Sequence, residues 1–189
     1  MRSLRPIRGG WRNQIGFRNK GIGNIVMDSS VHSICGLDEN EWKILLYTIP
    51  QGIKIELNLS CPNIEATSIS DTLLKQFIDK FPMLSVKVRY DISDFVAKKL
   101  HSAGVKSLHC SNTIPTEKGG VSGTPLQKLN IPAIKRLSSY GFDSLIAGGG
   151  IYSARDVDEY REAGATDFSI STVYISCPWN IPAIYEAVM

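Results

Sequence analysis

The segment Glu56-Leu57-Asn58-Leu59-Ser60-Cys61-Pro62-Asn63 sets a thiol between two carboxamides at the end of an apolar run that starts at Ile53. A thiolate is both a base and a nucleophile, and an ordinary cysteine reaches that form near pH ~8.5. A lone cysteine beside a proline turn is equally at home as a buried structural residue. The flanking amides weigh against that reading, because each offers a donor and an acceptor that must find partners, such as a heterocyclic substrate. A second polar cluster, His109-Cys110-Ser111-Asn112-Thr113, also follows an apolar run. Lys87 sits inside Val86-Lys87-Val88. In a strand it faces either an interior, where its charge needs a partner, or the helix layer with its head in water. Three glycine-rich stretches remain: Gly10 to Gly21, Lys118 to Gly123, and Gly148-Gly149-Gly150 with Ser169 to Thr172 one element later. Glycines let a backbone approach a ligand closely, and exposed amides bind phosphate. As bare patterns these stretches are ordinary loops.

Short apolar runs alternate with amphipathic stretches from residue 31 onward, the pattern of parallel strands joined by crossover helices. Six strands are expected, over Val31 to Cys35, Ile53 to Leu59, Leu84 to Val88, Val105 to Ser111, Ser144 to Ala147 and Asp167 to Ile170. Asp38 with Glu41 reads as a capping box, and Asp91 and Ser153 read as helix caps. Gly104 and Gly164 follow Ala103 and Ala163 where helices should end. This order fits a doubly wound sheet or a β/α barrel. In a barrel, chemistry collects at the strand C-termini, with phosphate at the last two loops.

The octapeptide Glu56 to Asn63 resembles the active-site motif of dihydroorotate dehydrogenases, in the soluble class that uses cysteine. The resemblance makes Cys61 the general base and Asn58 and Asn63 substrate contacts. Gly10 to Gly21 is similar to a family loop whose first asparagine, here Asn13, touches substrate, and Asn112 and Thr113 match a further pair of contacts. The resemblance gives Lys87 a flavin-binding role, sets Gly120, Ser122 and Gly123 beside the flavin, and has Gly149, Gly150, Ser171 and Thr172 hold the phosphate of FMN. Most family members carry glycine at the position of Ser171. The implied fold is α/β, an incomplete (β/α)8 TIM-type barrel lacking roughly the first two strands, since a full barrel takes about 250 residues. The implied reaction is FMN-dependent oxidation of dihydroorotate to orotate in pyrimidine biosynthesis. The other reading kept open is a noncatalytic flavin-barrel relative that acts as a binding protein.

The 189 residues, 43% of them hydrophobic, are expected to form one domain, 1–189. The 21 basic and 18 acidic residues are interspersed apart from a basic N-terminal excess with no aromatic platform, so no nucleic-acid partner is expected. No apolar run approaches the ~18 residues that span a bilayer, and a cytoplasmic protein is expected. The four cysteines form no C-x-x-C pair, so neither a metal site nor a disulfide framework is expected. Exposed strand edges would call for a homo-oligomer or a partner chain completing the barrel. The resemblance also allows an iron-sulfur/FAD electron-transfer subunit. His32 and His101 receive no role, and His109 reads as a core or supporting residue.

Overall fold

The computed structural model describes residues 3–14, 21–60 and 69–189. The chain begins with two short strands, β1 (Leu4–Ile7) and β2 (Gly10–Asn13). It continues through β3 (Val31–Ile34), α1 (Glu39–Thr48), β4 (Lys54–Asn58), α2 (Asp71–Lys80), β5 (Ser85–Val88), α3 (Asp94–Ser102) and β6 (Ser107–Cys110). A hairpin, β7 (Ile114–Thr116) and β8 (Gly119–Gly123), precedes α4 (Thr124–Leu137) and β9 (Ser144–Gly148). Last come α5 (Ala154–Glu162), β10 (Asp167–Ser169), α6 (Thr172–Ser176) and α7 (Ile181–Val188).

All six expected strands form one sheet in the order β10-β9-β6-β5-β4-β3, every pair parallel. Each new strand joins on the same side of the one before it. A doubly wound sheet reverses at a switch point, and no reversal occurs among the described strands, so the sheet is an arc of a β/α barrel.

The strands alternate between two environments. Ile55, Leu57, Val86, Val88, Leu108, Cys110, Leu145 and Ala147 are buried under the helices, and the residues between them, Glu56, Ser85, Lys87, Ser107 and His109, share the opposite face. The helix layer is anchored by Trp42 edge-on to Phe77, which stacks on Phe81. At Gly36 any Cβ would run into the Trp42 ring, so the turn from β3 into α1 admits no side chain.

Helix boundaries follow local chemistry, with two corrections. Asp38 caps α1 by accepting from Glu41 N–H, but the Glu41 carboxylate accepts from Leu37 rather than from the cap residue. Asp91 does not cap α3. Ser93 does, because Asp91 is engaged by the Arg89 guanidinium in the preceding turn. Ser153 forms a full capping box with Asp156 on α5. Gly104 and Gly164 take the left-handed conformation at φ 96° and 103°.

The glycine-rich stretches expected as loops supply β2 and β8 to a second, antiparallel sheet in the order β1-β2-β8-β7. Glycine makes it possible. A Cβ at Gly10 would fall 1.9 Å from Ser122 O, and one at Gly119 would fall 2.2 Å from Asn13 O. Trp11 Nε1 donates to Ser176 Oγ at 2.7 Å and ties this sheet to α6. No helix among the described residues is long and apolar enough to cross a membrane.

Candidate active site

A cleft of about 160 Å³ opens at the C-terminal ends of β5, β6, β9 and β10, between the barrel arc and the small sheet. It is lined by Lys87, Asn112, Thr113, Ser122, Gly149, Gly150, Ser171 and Thr172, each singled out from the sequence. Ser111, Ile151, Ser169 and Ile170, which lie in or beside the marked segments without a role of their own, and Leu126, which the sequence did not mark, complete it. Leu126 comes from the first turn of α4, and the others neighbour marked residues at the strand ends.

The glycine turn after β9 is shaped from behind. Gly149 and Gly150 hold φ of 90° and 77°, and a Cβ on either would collide with Leu126 or Gln127 of α4 at 2.6 and 2.7 Å. Asn130 is fully buried and donates to Gly148 O at 2.5 Å. The Tyr160 hydroxyl lies 2.8 Å from Gly149 O and 3.0 Å from Gly148 O, and burial pushes its ionisation up, so it stays a donor. Two carbonyls of the turn are thus drawn away from the cleft. Ser171 holds a negative φ of −144°, so the position does not call for the left-handed conformation that favours glycine.

On the other wall, Asn58 and Asn112 meet across β5. Asn112 Nδ2 donates to Ser60 O and Oγ at 2.8 Å each, and to Asn58 Oδ1 at 3.4 Å. Asn112 Oδ1 accepts from Thr113 N–H at 2.8 Å, which fixes the turn that presents both residues. Asn58 borders a neighbouring hollow lined by Ile22, Ser33 and Cys35 rather than the cleft itself. Gly120 lies against Thr113, whose Oγ1 would be 2.2 Å from a Cβ there, and so brings β8 down onto the end of β6. Gly120, Gly123 and Asn13 do not line the cleft. Gly120 pairs with Asn13, and Gly123 caps α4 at φ 102° against Gly9 and Gly10. Cys61 and Asn63 lie outside the described residues.

The face shared by Glu56, Lys87 and His109 carries a charged cluster whose association no sequence motif marked. Glu56 accepts from Ser33 Oγ at 2.8 Å, meets His109 Nδ1 at 2.5 Å, and pairs with Lys87 Nζ at 3.6 Å. Burial pushes the Glu56 carboxyl up, but the His109 hydrogen bond, the Lys87 charge and Ser33 outweigh it and hold it at about 2. Cys110 behaves in the opposite way: buried under the helices, its thiol is pushed up to about 12.

These features can be compared with known proteins. The dihydroorotate dehydrogenase family model matches residues 98–188, the half that carries Asn112, the β8 glycines and the phosphate-loop candidates. The catalytic subunit of dihydroorotate dehydrogenase B (NAD+) from Halalkalibacterium halodurans is 26% identical over 94% of this chain and 70% of its own length. Its counterpart from Geobacillus kaustophilus is 26% identical over 93% of this chain and 68% of its own. Among solved structures, the dihydroorotate dehydrogenase of Eimeria tenella in complex with ferulenol matches with a TM-score of 0.66 at 20% identity, a likeness of fold. That match covers 79% of this chain and 53% of the other, so the chain spans about half the length of that structure. The barrel arc, the similarity to catalytic subunits along 93–94% of this chain and the family model matched over residues 98–188 agree, and the chain is similar to dihydroorotate dehydrogenases.

Proposed function

We propose that the chain binds FMN and dihydroorotate and contributes to oxidation of dihydroorotate to orotate in pyrimidine biosynthesis. The observation that carries this reading is the convergence of Lys87, Asn112, Thr113, Ser122, Gly149, Gly150, Ser171 and Thr172, from five separate strand ends, on one cleft. The residues fit a phosphate. The turn after β9 has no room for side chains, its carbonyls are engaged by Asn130 and Tyr160, and its amides are the polar groups left for an anion. A volume of about 160 Å³ suits the phosphate end of a cofactor; whole ligand sites run to about 300–1,000 Å³, so the ring would extend beyond it.

In this reading Gly149, Gly150, Ser171 and Thr172 hold the phosphate, and Gly120, Ser122 and Gly123 set the small sheet beside the flavin. Lys87 places its ammonium where negative charge on the ring would be stabilised. Asn13, Asn58, Asn63, Asn112 and Thr113 orient the pyrimidine by its amide edges. Cys61 accepts the C5 proton as a thiolate, while FMN, when bound, supplies the acceptor for the C6 hydride. Loss of that proton and hydride leaves the C5=C6 double bond of orotate. The relatives named as catalytic subunits favour an electron-transfer subunit, an iron-sulfur/FAD chain, as the onward acceptor. A second copy or a partner chain would cover β3 and β10, which each pair with one neighbour among the described strands.

The purified chain should show a flavin absorbance spectrum, natively or after reconstitution with FMN, and dihydroorotate added without oxygen should bleach it. Cys61→Ala should abolish the bleaching and leave FMN bound. A chain that is colourless and takes up no FMN supports the noncatalytic reading instead.

A further inference from the structure

The lysine that lines the cleft, Lys87, is the one whose ammonium pairs with Glu56. Glu56 is only 7% exposed, and three strands converge on its carboxylate: Ser33 from β3, Lys87 from β5 and His109 from β6. We propose that Glu56, clamped by His109 and Ser33, is a positioning residue that holds Lys87 at the cleft floor and partly neutralises it, thereby limiting how strongly the site favours negative charge on a bound flavin ring. This rests on the reading that the cleft takes FMN.

Two observations support it. The ionised carboxylate requires a donor at its second oxygen, so the His109 proton belongs on Nδ1. His109 Nε2 is buried with no partner, which an acceptor lone pair tolerates better than an N–H would. Lys87 is the lysine that balances Glu56, and among the described residues the ion pairs at this carboxylate are those with Lys87 and His109. A lysine without Glu56 would bear its full charge toward the cleft.

The test is the midpoint potential of bound FMN, measured by dye equilibration, alongside FMN affinity from flavin fluorescence. Glu56→Gln should shift the potential to a more positive value, because the uncompensated ammonium stabilises the reduced, anionic ring. Glu56→Asp, which keeps the charge, should return it toward that of the unaltered chain. A purely structural role for Glu56 would weaken FMN binding without a positive shift, and an unchanged or more negative potential in Glu56→Gln overturns the proposal. Should that variant fail to fold, nitrogen NMR of the unaltered chain decides: a His109 ring protonated on Nδ1 alone is expected, and a proton on Nε2 overturns it. Failure of the unaltered chain to bind FMN would sink the functional reading separately, while the NMR result still judges the Glu56–His109 arrangement.

Discussion

Glu56 is a carboxylate placed where water is nearly excluded, and it stays ionised only because three donors reach it. Its ionisation is depressed in the folded chain, to about 2 against an ordinary 4.5. The stability it contributes is therefore fully present above pH ~4.5 and is lost as pH falls through about 2; a gap of that size corresponds to about 3 kcal/mol. Glu56→Gln should unfold more readily than the unaltered chain at pH 7, by about that amount, and urea titrations should show the difference shrinking between pH ~4.5 and ~2. A constant difference across that range would mean the carboxylate is not ionised by virtue of these partners. Cys110 presents the contrary case, since burial drives its thiol to about 12 although it lies two positions from Asn112. At pH 8 a thiol reagent should leave Cys110 unmodified in the folded chain, as read by mass mapping, and label it only on unfolding. Labelling of the folded chain at Cys110 would show the β6 end open to solvent.

At the scale of elements, glycines do two different jobs that one pair of substitutions separates. Gly52 sits at φ 84° with nothing within 4 Å of a Cβ, so alanine there meets only backbone strain, on the order of 1 kcal/mol. Gly149 has a similar φ of 90° and a Leu126 side chain 2.6 Å from the Cβ position. Gly149→Ala should therefore lower the melting temperature more than Gly52→Ala and also reduce FMN binding, whereas Gly52→Ala should leave binding unchanged. The same contrast explains what was legible in the sequence. The six parallel strands could be read because a buried face alternates with a polar one, and most helix starts because Asp38 and Ser153 act on neighbours a few residues away. Asp91 misled because a local guanidinium claimed it first. The β1-β2-β8-β7 sheet could not be read, because Gly10, Gly119 and Gly123 make it by close approach between segments far apart in the chain, and no local signal records the partner. Asn130 and Tyr160 were silent for a related reason. Their value lies in reaching the turn after β9 from α4 and α5, which depends on packing rather than on spacing.

Across the whole molecule, the cleft gathers residues from Lys87 to Thr172, so whatever fills it bridges β5, β6, β8, β9 and the start of α6. Of those elements β5, β6 and β9 belong to the barrel arc, whose end strand β10 pairs only with β9 among the described residues, while β8 belongs to the small sheet. A ligand that binds only the folded arrangement stabilises it by about 2.7 kcal/mol at a free concentration of 100 times its Kd. For a chain of this length each kcal/mol moves the midpoint by about 2–4 °C, so FMN at that concentration should raise the melting temperature by about 5–10 °C. Riboflavin supplies the same ring without the phosphate and cannot engage the amides of Gly149 and Gly150 as an anion. At equal concentration it should give a clearly smaller shift, and Lys87→Met should reduce the FMN shift and also lower the ligand-free melting temperature, since it takes the ammonium from Glu56 and leaves only Ser33 and His109. Equal shifts from riboflavin and FMN would remove the turn after β9 as the phosphate site. The barrel arc would stand, but the cofactor would have to be held elsewhere.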